Sequence, residues 1–308
     1  MFVVSNANMS KAPLEIFILL LLSITVAGKN NLPQRDECGT LNTEYYYNQK
    51  NLTEIDEFPW MGRVLYENKT DGKTWFKCNA ILISKLYVLL NPECFSWKDF
   101  VPISVTLGDW FKGNDYKKSD CDDRGRCAPV PKTYKIEEMI IHPNYSSESK
   151  KSNIAMVRLS EPVTYSNFIR PICLPSKDIV HMDFDNHLLE ETGWYSNLSL
   201  GRTLAKSFAR VVNLNTCELK LTKFYKVDKE NSLCALSCWG NSGYSHGAIL
   251  MGTTVVDEEP VNYYLIGISV YGYKCQLGFP DVYSRIDRYL DWIYEKTNSE
   301  VSMLEPRK

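Results

Sequence analysis

From Phe58 onward the chain is a succession of short runs rich in β-branched and aromatic residues, each ended by glycine, proline, asparagine or aspartate. Residues 62–66, 75–83, 87–90, 103–107, 134–141, 154–159, 190–194, 205–214, 248–253 and 263–270 read as strands. No long stretch with a 3.6-residue period interrupts them, so the fold class is all-β, a sandwich or barrels. One amphipathic segment, 286–294, places Ile286, Leu290 and Ile293 on one face and predicts a C-terminal helix. No internal repeat is visible.

The N-terminal region sets the compartment. Lys11 precedes a dense apolar run within 13–28, which ends in Val26, Ala27 and Gly28. The run has only about a dozen apolar residues, too few to span a bilayer comfortably, so 1–28 reads as a secretory signal peptide and the mature chain as secreted and free of membrane. Ten cysteines in an exported chain read as disulfides. Asn51, Asn68, Asn144 and Asn197 head glycosylation acceptor triplets. A net charge of −2 gives no basic field for nucleic acid. Residues 29–57 form a polar leader with Cys38 and the cluster Tyr45, Tyr46 and Tyr47, 58–296 form the domain, and the charged tail 297–308 is expected to be disordered.

Metal and cofactor chemistry find no support. His142, His181, His187 and His246 have no ligand-spaced partners. Asp115, Asp120, Asp122 and Asp123 lack the spacing of a calcium loop. No cofactor is implied, and a monomer is expected. Lys150 and Lys151 form a loop charge pair with no evident target.

A series of short motifs, in order, resembles the chymotrypsin-like (trypsin family) serine proteases. They begin with Cys78-Asn-Ala-Ile-Leu-Ile83, Tyr87-Val-Leu-Leu-Asn-Pro-Glu-Cys94 and Leu107-Gly-Asp-Trp110, followed by Ile141-His-Pro-Asn-Tyr145 and Ile154-Ala-Met-Val-Arg-Leu159. Pro171-Ile-Cys-Leu-Pro175, Thr192-Gly-Trp194, Pro280-Asp-Val-Tyr-Ser-Arg285 and Tyr289-Leu-Asp-Trp-Ile293 complete the series. The resemblance implies two packed six-stranded antiparallel β-barrels with a C-terminal helix. It also implies the bridges Cys78–Cys94, Cys217–Cys234 and Cys238–Cys275, with Cys38–Cys173 tying the leader to the domain. Cys121–Cys127 closes a small loop of the arthropod clip-protease branch, here without a clip domain.

The nucleophile loop lies in Cys234-Ala-Leu-Ser-Cys-Trp-Gly-Asn-Ser-Gly-Tyr-Ser-His-Gly-Ala-Ile-Leu250. By resemblance Ser242 takes the nucleophile position, with Gly240 in the oxyanion hole. A second register puts Ser245 there, and both stay open. The literal G-x-S-x-G from Gly243 to Gly247 is not an α/β-hydrolase elbow, because no histidine follows it. The position of the general base holds Glu93 and that of the orienting acid Asn153. A carboxylate of ordinary pKa ~4.3 is a poor acceptor for a serine proton, and a neutral amide cannot stabilise a cationic base. Loss of triad members leaves only ~10³–10⁴-fold catalysis over water.

The supporting parts depart from the family as well. Between Cys38 and Phe58 only Lys50 is basic, and no Ile-Val-Gly-Gly follows it. Asn241 replaces the aspartate that would pair with the freed amine. Leu236 is expected at the floor of the specificity pocket, and Asp281 replaces a wall glycine. The resemblance therefore implies an inactive serine protease homologue that regulates, assists or decoys extracellular proteases, their zymogens and their substrates. Two alternatives stand beside it: a serine-type endopeptidase with an unconventional dyad, and an extracellular surface-binding module whose aromatic cleft is lined by Tyr244 and Tyr271.

Overall fold

The computed structural model describes residues 31–48, 51–111, 117–176, 179–180, 182–194, 203–237, 247–257, 259–272 and 278–298. Their strands form two closed antiparallel barrels of six strands each. The first holds β1 (Met61–Asn68), β2 (Thr74–Leu82), β3 (Tyr87–Leu90), β4 (Phe100–Leu107), β5 (Lys132–Ile141) and β6 (Ala155–Leu159), in the order β1-β2-β3-β6-β5-β4. The second holds β7 (Leu188–Gly193), β8 (Ala205–Val212), β9 (Ser232–Ser237), β10 (Ile249–Val256), β11 (Glu259–Tyr271) and β12 (Asp281–Arg285). Counted from its own first strand, its order is the same. The two-barrel expectation is met, and the internal repeat that the sequence hides is one of topology.

Strand β1 closes the first barrel on β4, from Gly62 opposite Leu107 to Asn68 opposite Phe100. Strand β7 closes the second on β10, with Ile249, Leu250 and Met251 opposite Thr192, Glu191 and Glu190. Closure leaves no unpaired strand edge. One apolar cluster then spans both barrels: Val64, Ile81, Leu89 and Val157 of the first meet Trp194, Leu265 and Ile268 of the second. On the face of β1 away from Val64, Arg63 and Asp109 form a buried ion pair, with the guanidinium 3.9 Å above the Phe76 ring. Burial pushes the Asp109 carboxyl up to about 6 against the pull of Arg63.

Several boundaries differ from the expectation. Strands β9 and β12 lie in stretches not read as strands, because most of their residues are buried and they lack the alternation that marks a half-exposed strand. The strand expected to reach Leu214 ends at Val212. Asn213 then caps helix α2 (Leu214–Leu221) by accepting the Asn215 amide at 2.9 Å. The leader contains helix α1 (Thr43–Tyr47), capped by Asn42, whose Oδ1 accepts the Glu44 amide at 3.0 Å. At the C-terminus a 3-10 turn (Ile286–Arg288) precedes helix α3 (Leu290–Asn298). Thr297, expected at the start of the tail, is buried in α3 and donates its hydroxyl to the Ile293 carbonyl at 2.9 Å.

Four disulfides are described: Cys38–Cys173, Cys78–Cys94, Cys121–Cys127 and Cys217–Cys234. Cys238 and Cys275 lie outside the described residues, as do residues 1–28, Asn197 and the tail from 299 onward. Asn51 and Asn144 are exposed. Asn68 is half-buried, its Oδ1 accepting the Thr70 amide at 2.8 Å. Among the described residues no helix is long and apolar enough to cross a membrane.

The described part of the leader is bound to the second barrel at several points. Gly39 donates to the Pro171 carbonyl and accepts from the Tyr263 amide, each at 2.8 Å. A side chain at Gly39 would overlap the Tyr263 carbonyl, and its φ of +58° suits glycine. Further on, the buried Lys206 ammonium pairs with Glu57, lies 3.8 Å from Glu190 and donates to the Tyr45 carbonyl at 3.0 Å. The Tyr263 hydroxyl donates to Glu190 at 2.6 Å. Two carboxyls thus share one buried cation.

Burial pushes the Glu57 carboxyl up to about 7, against the opposing pull of Lys206 and the Glu54 amide. A carboxyl that binds its proton more readily folded than unfolded stabilises the fold at low pH. That contribution is whole below the ordinary value of 4.5 and is lost as pH rises through about 7. Glu57 is therefore expected to make the protein less stable near pH 8 than near pH 5 by on the order of 2 kcal/mol. Chemical denaturation at the two pH values should show that difference shrink in Glu57→Gln.

Candidate functional site

Strand β3 ends at Leu90, and Asn91 begins the turn that carries Glu93. Asn91 Oδ1 accepts the Glu93 amide at 2.9 Å, and Pro92 starts the 3-10 turn (Pro92–Phe95) with its φ already set. Asn91 Nδ2 also donates to the Ser269 carbonyl of β11 at 3.1 Å, so one side chain shapes the turn and ties it to the second barrel. Cys94, bonded to Cys78 on β2, and the Tyr66 hydroxyl, 2.9 Å from the Cys94 carbonyl, hold the turn from below.

The Glu93 carboxylate is ion-paired with the Lys150 ammonium. Lys150 of the pair thus does have a target, one that a loop's charge pattern alone does not reveal. Lys150 (φ +55°) and Ser152 (φ +47°) both adopt left-handed backbone. Asn153 follows, almost wholly buried. Neither atom of its amide group has a hydrogen-bond partner among the described residues, while its backbone carbonyl accepts the Ser284 hydroxyl at 2.7 Å.

Glu93 and Lys150 line a cleft of about 500 Å³ between the barrels. Its far wall includes Tyr225 and Tyr271, whose rings stack 4.8 Å apart at 17°, and its inner end holds Glu191 and Asp281. Glu191 is a site residue that the sequence reading missed. Its Oε1 accepts the Tyr283 hydroxyl at 2.6 Å, and its Oε2 accepts Ser237 at 2.5 Å and Ser207 at 3.1 Å. Burial pushes this carboxyl above the ordinary range, while bonds from Ser237, Tyr283 and Ser207 pull it back. The available signal was the acidic pair Glu190 and Glu191 inside a strand with both side chains buried, a placement that demands partners.

Asp281 is buried and lies over Gly272. A Cβ built on Gly272 would come within 2.8 Å of Asp281 Oδ1, so the carboxyl group occupies space that a glycine at 281 would leave open. The expected floor residue, Leu236, does not line the cleft. On β9 the side chains alternate, and Leu233 and Ala235 join the barrel core. Ser237 shares that inner side through its bond to Glu191, whereas Leu236 lies on the opposite face with Cys234, which belongs to the cluster around α2. The inner end is instead formed from β7 and β12.

Neither described histidine lines the cleft. His142 packs against the rings of Tyr289 and Trp292, 5.3 and 5.1 Å away, and accepts the Asn144 amide at Nδ1. Burial depresses its pKa. His187 packs 6.0 Å from Phe184. Gly240, Asn241, Ser242, Tyr244, Ser245, His246 and His181 lie outside the described residues. Asp120 and Asp122 are engaged by protein donors: Asp120 accepts the Trp110 and Phe111 amides, and Asp122 the Arg126 guanidinium.

A family model described as Trypsin matches residues 48–293. The chain is 30% identical to the Spaetzle-processing enzyme of Drosophila melanogaster over 286 residues, 86% of this chain and 69% of that protein. It is 32% identical to phenoloxidase-activating factor 3 of Holotrichia diomphalia over 284 residues, 87% of this chain and 77% of that one. Its backbone is similar to that of the Drosophila Grass clip serine protease of the Toll pathway, with a TM-score of 0.68 at 21% identity over 86% of this chain and 76% of that chain.

The three hydroxyls around Glu191 supply a direct test of the inner wall. Tyr283→Phe leaves Glu191 Oε1 without its donor and is expected to cost about 1–3 kcal/mol of folding stability, read by chemical denaturation. Leu236→Ala should cost less, because no core cavity opens at that position.

Proposed function

We infer that this chain, which belongs to the trypsin family of serine proteases, does not hydrolyse peptide bonds. It acts instead on an active protease, its zymogen or their substrate, as a regulator, cofactor or decoy in an extracellular cascade. The observation that carries this reading is the ion pair of Glu93 and Lys150 at the cleft. A serine hydroxyl becomes a nucleophile only if a neighbour accepts its proton and later returns it to the leaving amine. The carboxylate is already engaged by an ammonium, and the buried amide of Asn153 carries no charge to favour a protonated base. With Asp281 over Gly272, the cleft is also narrowed where a substrate side chain would enter.

The cascade role draws on the relatives, which are named for processing Spaetzle and for activating phenoloxidase. Export draws on the apolar N-terminal segment and on the disulfides. The stacked Tyr225 and Tyr271 favour a second reading, a binding module that seats an aromatic or sugar ring in the cleft.

Purified protein is expected to show no labelling by a fluorophosphonate probe and no turnover of peptide substrates. Labelling that disappears in Ser242→Ala or Ser245→Ala would instead establish a hydrolase with an unconventional base.

A further inference from the structure

We propose that the Cys121–Cys127 disulfide is a redox-operated clasp that holds the second half of the leader, residues 41–57, against the body of the protein. Its setting differs from that of the other described bridges. Cys121 and Cys127 are both exposed, whereas Cys38, Cys173, Cys78, Cys94, Cys217 and Cys234 are buried. Exposed disulfides are the ones that thiols reach and reduce first. With a sequence separation of 6, the bridge also closes the shortest described loop, so its loss relaxes the unfolded chain least and leaves the global fold intact.

The closed loop carries the groups that hold the leader. Asp122 shapes it by accepting the Arg124 and Arg126 amides at 3.0 and 2.9 Å, and takes the Arg126 Nε at 2.7 Å. Arg126 thus fixed donates to the Tyr45 hydroxyl of α1 at 2.9 Å and pairs with Glu54; Arg124 pairs with the same Glu54. Two guanidiniums on one small ring therefore meet one leader carboxylate and one leader phenol. The start of the leader is secured separately by Cys38–Cys173 and the backbone of Gly39. Tyr45 and Glu57 both meet the buried Lys206, which also lies near Glu190. Opening the ring loosens the upper ties and bares the tie from Lys206 to the Tyr45 carbonyl.

The chemistry is thiol–disulfide exchange with a dithiol reductant. A reductant thiolate attacks one cysteine sulfur, the Sγ–Sγ bond breaks and a mixed disulfide forms. The second reductant thiol displaces the protein sulfur and leaves as a disulfide. Two electrons and two protons end on Cys121 and Cys127. Exchange in the reverse direction, with a small-molecule disulfide as the oxidant that takes up the two electrons and two protons as two thiols, restores the clasp.

The experiment uses the full-length secreted protein with dithiothreitol in rising concentration, alkylation of freed thiols mapped by mass spectrometry, and hydrogen exchange of residues 41–57. The expected result is that Cys121 and Cys127 are alkylated before any other cysteine. Exchange in 41–57 then rises on the order of tenfold while the barrels stay protected. A Cys121→Ser/Cys127→Ser variant should show that faster exchange without reductant and no further change with it. Arg126→Gln should show it with the disulfide intact. Another pair reduced first, or reduction without faster exchange in 41–57, overturns the proposal. These readouts follow the leader and not hydrolysis, so they are independent of whether the cleft is inactive.

Discussion

Each barrel is completed by a single pairing, β1 with β4 in the first and β7 with β10 in the second. These pairings turn each sheet into a ring with no free edge, and everything else hangs on them. They bring Glu190 and Glu191 of β7 beside Met251 and Leu250 of β10, and so place one acid toward Lys206 and the other toward the cleft. They set the turn bearing Glu93 against β11, where Asn91 bridges the barrels. Barrel closure is indifferent to the chemistry of the loops between the strands.

Three groups of charged side chains are buried among the described residues. Arg63 with Asp109, Lys206 with Glu57 and Glu190, and Glu191 among three hydroxyls are all buried. Each desolvated charge is costly alone, and its cost is offset by the opposite charge or the hydrogen bonds beside it. For each of these carboxyls burial is the largest influence and pushes its pKa upward. The two groups in the second barrel also join distant segments: Lys206 couples β8 to the leader, and Glu191 couples β7 to β8, β9 and β12. Buried polar contacts here fix which segments meet, a specificity that apolar packing alone supplies less sharply.

Much of the fold was legible because its strands carry their own signatures. Val64, Ile81, Leu89 and Val157 sit in β-branched runs bounded by turn residues, and they reappear in one core. The unread elements are those whose local signal is weak or overruled. Strands β9 and β12 are buried on both faces and so show no alternation. Helix α2 rests on the Asn213 cap and on Cys217, whose bridge to Cys234 holds it to β9, a contact made far along the chain. Glu93, at the cleft, and the buried Asn153 stood out from motif position. Lys150 and Glu191 did not, since their roles depend on which distant group each one faces.

By itself the sequence determined the class of fold, the strand runs, the cysteines available for pairing and the residue types at its motif positions, all of which are local properties of composition, period and motif. Only the tertiary structure decided that both barrels share one strand order, that Leu236 faces away from the cleft, that Glu191 forms its inner wall and that Lys150 neutralises Glu93. The physical reason is that a charge or a strand face acquires its meaning from what is packed against it. Those neighbours come from segments separated by dozens of residues, brought together by barrel closure and leaving no trace in the local pattern of the chain.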